Sequence, residues 1–270
     1  MERLMGTDSQ LWVEEHCGCQ PANVEHFHQH YELYYLAQGE IRYFIGNKTY
    51  HVKEGTLIII PPSTLHKTFA SQEPHRTRIL INLSENYLKE FTALQKELLP
   101  DSGTAFYIIQ KQERIYQIIY ELLNEFQNEK NILMQKSLVC ELLVLLSRRK
   151  KSTIVEATGN PLSKKLSDVV SYINAEYPQH ITLTALAERF QMNPAYLSRI
   201  FKQGTGFSFS EYLNKFRIKK AVALLEISES NITEISLEVG FNSCNHFCKI
   251  FKSIMGVSPL VYKKQNYPKN

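Results

Sequence analysis

The 270-residue sequence is poor in cysteine and contains no long apolar run. Its five cysteines are odd in number and lack the spacing of a disulfide framework, which argues against a small secreted domain and indicates a reducing compartment. No window reaches the roughly 18 apolar residues of a membrane span, and the opening MERLMGTDSQ is too polar for a secretory signal. These absences predict a cytoplasmic protein with no membrane partner.

Positive charge is present but unevenly distributed. Residues 161–270 contain 14 Lys and Arg against 8 Asp and Glu, whereas residues 1–160 contain 17 against 19. The two parts therefore carry net charges of about +6 and −2. This asymmetry favours a basic module that meets phosphate, joined to a near-neutral module with another task. The chain is long enough for two hydrophobic cores.

The last eighty residues contain a repeat at a fixed offset of fifty positions. Seven positions recur without an insertion, as the pairs Arg199/Lys249, Ile200/Ile250, Phe201/Phe251, Lys202/Lys252, Gly206/Gly256, Ser208/Ser258 and Tyr212/Tyr262. A fixed offset predicts a duplicated structural unit. Each copy is predicted to form a helix-turn-helix, with helices over 183–190 and 194–203 in the first copy and over 232–239 and 244–255 in the second.

The second helix of each repeat has one apolar and one polar face. Leu197, Ile200 and Phe201 share the apolar side of the first, and Asn193 and Ser243 are the predicted N-caps. The residues predicted to face outward are Ala195, Ser198, Arg199 and Lys202 in the first copy and Asn245, Cys248, Lys249 and Lys252 in the second.

A single helix is predicted between the copies. Ser208 and Glu211 form a capping box that opens a helix over 209–227. At 1.5 Å per residue this helix spans about 28 Å. With its packed flanks it would hold two recognition helices about 34 Å apart, which places them in successive major grooves of DNA.

The segment from ITLTALAERF through GFNSCNHFCKIFKSIMGVSPLVYKK resembles the DNA-binding domain of the AraC/XylS family of bacterial transcription regulators, over roughly 100 residues. The resemblance rests on GF, then FCKIFK, then G-x-SP-x-x-Y. It implies a sequence-specific regulator bound to double-stranded DNA and, by family habit, an activator that works with RNA polymerase. It places base contacts at Ala195, Ser198, Arg199, Cys244, Asn245, His246, Cys248 and Lys249. A metal or redox site at the two cysteines is the disfavoured alternative, because no further ligand lies nearby in sequence.

Residues 24–83 are predicted to form short strands separated by Gly- and Pro-containing turns, as in a sandwich or small barrel. The predicted strands cover 32–37, 40–45, 48–52, 56–60, 66–70 and 77–83. The spacing of His26, His28, Glu32 and Gly39, followed by Gly55, Pro61 and His66, resembles the two motifs of a cupin β-barrel.

Three interpretations of this motif stay open. We favour a pocket for a small organic effector, lined by His26, His28, Glu32, Tyr34, Tyr43 and His66, without a cofactor. A sugar suits it, because tyrosines combine an aromatic face with a hydroxyl. A divalent metal on His26, His28, Glu32 and His66 is the second interpretation, and a purely structural role is the third.

Residues 111–149 switch to a helical period and predict two helices. The second has a wide apolar arc, made of Leu138, Val139, Leu142, Leu143, Leu145 and Leu146. Surface apolar area of this extent usually has a partner, so a homodimer is predicted through this pair, although the barrel core could cover the arc instead. A polar stretch rich in linker residues follows.

The predicted fold class is α+β with two domains, a cupin-like β-barrel with a helical dimerisation pair followed by an all-α double helix-turn-helix domain. We predict an effector-sensing domain at 1–110, the helical pair at 111–149, a linker at 150–162 and the DNA-binding domain at 163–266. The predicted function is an effector-responsive transcription regulator, a non-enzyme, for which genes of carbohydrate metabolism are candidate targets. The alternative is a metal-dependent cupin enzyme with an appended nucleic-acid-binding domain.

Overall fold

The computed structural model describes residues 11–18, 28, 30–69, 76–91, 104–149 and 161–266. Its internal contacts divide the chain into two units, Met1–Ala157 and Thr158–Asn270. The first contains all the described strands, and the second is helical. None of the helices within the described ranges is both long and apolar enough to span a membrane. An α+β chain with a strand-rich N-terminal part and a helical C-terminal part is therefore confirmed.

Eight strands form two antiparallel sheets in the N-terminal unit. They are β1 (Leu11–Cys17), β2 (His30–Gln38), β3 (Glu40–Ile45), β4 (Lys48–Lys53), β5 (Thr56–Ile60), β6 (His66–Thr68), β7 (Thr77–Ser84) and β8 (Ala105–Ile108). The larger sheet has the order β1-β7-β2-β5-β8 and the smaller one β4-β3-β6. All six predicted strands are present, whereas β1 and β8 were not predicted.

The larger sheet has two different faces because side chains alternate along each strand. Ile79 and Ile81 of β7 point to a core shared with helices, whereas Leu80 between them points to the smaller sheet. The helices on the first side are α1 (Glu85–Leu88), followed by a short 3-10 turn (Lys89–Phe91), α2 (Arg114–Asn124), which continues into a π-helical turn (Glu125–Glu129), and α3 (Ile132–Ser147). The second side forms the barrel interior, with Tyr34, Ile58, Tyr43 and Phe106 packed in one cluster.

The wide apolar arc of α3 is covered within one chain. Leu138, Val139, Leu142, Leu143 and Leu146 are all buried in the core that the larger sheet and α2 form with α3. A helix that packs on a sheet and on a neighbouring helix needs a broad apolar surface. This surface therefore does not provide the predicted dimer interface, because the rest of the N-terminal unit covers it.

The second unit consists of seven helices in the described range 161–266. They are α4 (Pro161–Glu176), α5 (Leu183–Arg189), α6 (Pro194–Thr205), α7 (Phe209–Ile227), α8 (Ile232–Glu238), α9 (Cys244–Met255) and α10 (Pro259–Asn266). Helix α4 begins two residues inside the predicted linker 150–162, and residues 150–160 lie outside the described ranges. The other helix boundaries follow the prediction closely, and α6 continues to Thr205 before Gly206 ends it at φ +80°.

Equivalent contacts confirm that the repeat is structural. The hydroxyl of Tyr212 on α7 donates to Asn174 Oδ1 on α4 at 2.9 Å, and the hydroxyl of Tyr262 on α10 donates to Glu226 Oε1 on α7 at 2.7 Å. Gly256 ends α9 at φ +76°, as Gly206 ends α6. Helix α10 therefore contacts α7 as α7 contacts α4.

Candidate DNA interface and effector site

The first recognition helix, α6, begins cleanly at a side-chain cap. Asn193 Oδ1 accepts hydrogen bonds from the backbone N–H groups of Ala195 and Tyr196, at 2.9 and 3.2 Å. This satisfies two of the N–H groups that a helix start leaves without partners. Leu197 and Phe201 are completely buried. The four predicted DNA-binding residues of this helix, Ala195, Ser198, Arg199 and Lys202, are all exposed.

The second recognition helix, α9, has the same arrangement. Ser243 caps it by accepting from His246 N–H at 3.5 Å, and Phe247 and Phe251 are completely buried. The exposed residues of the predicted interface are Asn245, His246, Lys249 and Lys252. Both recognition helices therefore present a polar surface that is free of the core.

Cys244 and Cys248 are half-buried beside that surface. Thr233 Oγ1 lies 3.7 Å from Cys244 Sγ, within reach of a weak hydrogen bond. Burial and the adjacent Cys244 raise the pKa of Cys248. A protonated thiol is a poor nucleophile, so Cys248 is better suited to contact a binding partner than to react through its thiol.

The two helix-turn-helix motifs are braced against each other through α7 and one loop. Arg217 on α7 donates from Nε to Tyr177 O at 2.9 Å and from Nη2 to Gln179 O at 2.8 Å. Gly240, in the turn before α9, has a φ of +90°, and a Cβ there would lie 2.6 Å from Pro178 O. The predicted capping box of Ser208 and Glu211 opens α7. These contacts make α7 a fixed spacer between the motifs.

In the barrel interior, β2, β3, β6 and His28, which lies just before β2, bring together four predicted effector-site residues. Glu32 Oε2 lies 3.1 Å from His28 Nε2 and 3.7 Å from His66 Nε2, and Glu32 Oε1 accepts from the Tyr43 hydroxyl at 3.1 Å. Tyr34 stands beside Tyr43, with ring centroids 5.0 Å apart. The sixth predicted residue, His26, lies outside the described residues.

Glu32 is buried, and its charge is held by its neighbours. Burial raises the pKa of Glu32, but the rings of His28 and His66 outweigh it, so this pKa lies well below the ordinary glutamate value. Burial and the Glu32 carboxylate raise the pKa of Tyr43 well above its usual value. Glu32 is therefore ionised, and Tyr43 remains a neutral donor.

The histidine rings are oriented by backbone carbonyl groups. His28 Nδ1 lies 2.9 Å from His30 O, and His66 Nδ1 lies 2.7 Å from Thr64 O. A carbonyl oxygen only accepts, so Nδ1 carries the hydrogen in both rings. Each Nε2 then faces the Glu32 carboxylate, as an N–H donor when the imidazole is protonated and as a free lone pair when it is neutral.

This orientation fits a metal ion. The three ligand atoms of His28, Glu32 and His66 lie within 4.8 Å of one another. Histidines that bind a metal usually donate their other ring N–H to a carbonyl or carboxylate, as both do here. Tetrahedral Zn²⁺ would separate such ligand atoms by about 3.3 Å, close to the two separations from Glu32 Oε2. The three side chains could hold a divalent transition metal with open positions for a small molecule.

Two buried polar residues of β7 were not predicted from the sequence. Arg78 and Asn82 are each 7% exposed and point to the barrel interior with Tyr34 and Glu32. The signal was available, because these polar residues alternate with Ile79 and Ile81 within a predicted strand.

Comparison with known proteins agrees with both parts of the chain. A family model described as an AraC-like ligand binding domain matches residues 17–143, and one described as a helix-turn-helix domain matches residues 186–265. Together they match most of the chain. The chain belongs to the AraC family of transcription regulators. As an AraC-family protein it is a DNA-binding regulator, and its relatives lend no support to the alternative of a cupin enzyme with an appended nucleic-acid-binding domain.

Relatives of this AraC-family chain are themselves named as regulators. It is 27% identical over 248 residues to the HTH-type transcriptional activator RhaS of Salmonella arizonae, covering 89% of this chain and 87% of RhaS. It is 26% identical over 255 residues to the uncharacterized HTH-type transcriptional regulator YdeC of Bacillus subtilis, covering 89% and 86%. Among solved structures, it is 37% identical to the C-terminal domain of the response regulator AraT of Geobacillus stearothermophilus, with a TM-score of 0.39, covering 41% of this chain and 93% of that domain.

Proposed function

We propose that the protein is an effector-responsive transcription activator of the cytoplasm, which inserts α6 and α9 into successive major grooves at a promoter. The observation that carries the proposal is the pair of capped helices, each with an exposed polar face, on one braced unit. Activation is supported by the relatives named as activators and would require contact with RNA polymerase. Homodimerisation stays a prediction, and the buried face of α3 cannot supply its interface.

We place the effector in the barrel interior, where Tyr34, Tyr43 and the cluster of His28, Glu32 and His66 lie. Its binding would shift the protein between conformations that differ in affinity for DNA arrangements, because a ligand favours the state it binds more tightly. Carbohydrate-metabolism genes remain candidate targets.

DNA reading by α6 is tested with Arg199→Ala. Arg199 is the only long hydrogen-bonding side chain among its three predicted base contacts, and a bidentate contact to guanine discriminates by about 1–3 kcal/mol. We expect a loss of about 5- to 150-fold at the promoter site and little change on unrelated DNA. Lys249→Ala should weaken the other half of the site by a similar or smaller factor. Binding isotherms on both DNAs provide the measurement.

Lys164→Ala is the matched control, since Lys164 is an exposed cation of α4 in the same unit. It should leave promoter discrimination unchanged. An equal loss on promoter and unrelated DNA for Arg199→Ala would show that Arg199 contacts only phosphate.

A second candidate role for the cluster, binding of a divalent metal, is favoured by the orientation of its two imidazoles. We expect the full chain to bind one equivalent of Zn²⁺, and we expect His66→Ala to weaken binding at least about 10-fold because one of three ligands is lost. His51→Ala is the control, because His51 is exposed and pairs with Glu40 at 3.1 Å. Equal Zn²⁺ affinity of His66→Ala and the wild-type chain would leave an organic pocket or a structural role.

A further inference from the structure

A buried guanidinium faces the barrel interior next to the proposed effector site. Arg78 is 7% exposed, and its Nε atom is shielded from solvent and has no hydrogen-bond partner among the described residues. The Tyr34 hydroxyl and Asn82 Oδ1 are shielded in the same part of the structure and have no partner of good hydrogen-bond geometry among the described residues. Arg78 lies near the Tyr34 hydroxyl, and His30 lies near Asn82. Three buried polar atoms on one face of a sheet are unusual, because such atoms are nearly always hydrogen-bonded.

The strand register places these groups around one space. Leu36 of β2 lies opposite Arg78 of β7, and Tyr34 lies opposite Leu80, so Arg78 and Tyr34 are diagonal neighbours on the inner face. Burial raises the pKa of Tyr34 to about 12 against the opposing charges of Arg78 and Arg76. The Tyr34 hydroxyl therefore keeps its proton and can donate a hydrogen bond to an acceptor.

Two carboxylates on the same face as Arg78 have other partners. Glu32 is held by His28, His66 and Tyr43. Glu14 on β1 is diagonal to Arg78, but its carboxylate lies 3.0 Å from His16 Nε2, and the hydrogen bond with His16 together with the charge of Arg78 lowers its pKa. Within the described ranges, no carboxylate forms an ion pair with Arg78.

An arginine cannot escape this situation by losing its proton. Burial of a charge is strongly unfavourable unless a counter-charge and hydrogen bonds compensate for it. The guanidinium geometry matches the two oxygens of a carboxylate, with which it forms parallel hydrogen bonds.

We propose that Arg78 binds the carboxylate of the effector, which is a monoanionic organic acid rather than a neutral sugar. Tyr34 donates a second hydrogen bond to the carboxylate, and Leu36, Ile58 and Phe106 of the barrel interior contact its apolar part. Asn82 Oδ1 accepts from a hydroxyl group of the acid. The carboxylate lies at the Arg78 end because Glu32 repels it from the other. This proposal rests on the proposed effector site and specifies its ligand class.

The test uses acetate as the smallest carboxylate probe and acetamide as its neutral counterpart, on the full chain without DNA at constant ionic strength. Acetate at saturating concentration should raise the midpoint of thermal unfolding of the N-terminal unit by about 2 to 4 °C more than acetamide. Arg78→Met should abolish this difference. Arg42→Met, which removes an exposed arginine of the same unit, should keep it. Equal shifts with both probes, or an acetate shift that survives in Arg78→Met, would overturn the proposal.

Arg78→Met also tests the proposal without any ligand. A buried charge that awaits a ligand destabilises the free protein, so the variant should unfold at the same temperature as the wild type or above it. A lower midpoint would assign Arg78 to the structure of the barrel and contradict the proposal. Promoter binding measured in parallel distinguishes failure of the ligand class from failure of the proposed function. Normal DNA binding without an acetate effect would refute a carboxylate effector but would leave the role as a transcription regulator standing.

Discussion

Replacing Leu142 by Glu is expected to unfold the N-terminal unit. Leu142 is 0% exposed in the core between α3, α2 and the larger sheet. Truncation of such a leucine alone costs about 2–5 kcal/mol, and an unpaired buried carboxylate adds to that cost. The total approaches the whole stability of an ordinary domain, about 5–15 kcal/mol. Urea unfolding of the full chain, followed by circular dichroism, provides the measurement.

Leu133→Glu is the matched control on the same helix. Leu133 is 77% exposed near the start of α3, so the same substitution should change the free energy of unfolding by less than about 0.5 kcal/mol. A Leu142→Glu variant that stays folded as a monomer would show that α3 has an outward apolar face after all. That result would restore the dimer interface predicted from its sequence.

Insertion of five base pairs between the two recognised DNA segments is expected to abolish specific binding. Helix α7 is 19 residues long, and its capping box, its Arg217 contacts and the close approach at Gly240 fix the distance between the motifs. Half a turn of DNA moves one segment to the opposite face, where a fixed spacer cannot follow. We expect affinity to fall at least about 100-fold, towards the non-specific level.

Five base pairs inserted outside the recognised segments serve as the control and should have no effect. Titration of both DNAs at one salt concentration provides the measurement, since non-specific affinity depends steeply on salt. Retained affinity with the internal insertion would mean that the motifs move independently or that only one of them reads DNA.

The C-terminal unit was predictable from sequence because its signals are local. Each N-cap side chain, of Asn193, Ser208 and Ser243, accepts a hydrogen bond from a backbone N–H group two or three positions later. Gly206 and Gly256 end their helices by adopting a positive φ. The strands carried weaker signals. Strand β1 pairs with β7, at least sixty residues away, and β8 has only four residues. Both strands are therefore defined by pairing that a local pattern does not show.

The proposed effector site was partly predictable. The cupin-like spacing of His28, Glu32 and His66 identified side chains that do converge, because β2 and β6 reach the same barrel interior. The alternation of Arg78 with Ile79 and Ile81 was visible in the sequence, but the polar groups that Arg78 faces lie on other strands, and a local pattern does not show them. The burial of α3 within its own unit was missed for a similar reason. Its apolar pattern predicts the width of the buried face but not which element covers that face.

Helix α7 belongs to both repeats, so a further repeat could be added to such a unit by sharing one helix in the same way. Its N-terminal part packs against α6, and its Tyr212 contacts α4. Its C-terminal part accepts a hydrogen bond from Tyr262 of α10. Helix α10 thus already occupies the position from which another helix pair could follow. A modular chain of this kind adds one DNA-reading helix for about fifty residues, the offset between Arg199 and Lys249, without building a separate core.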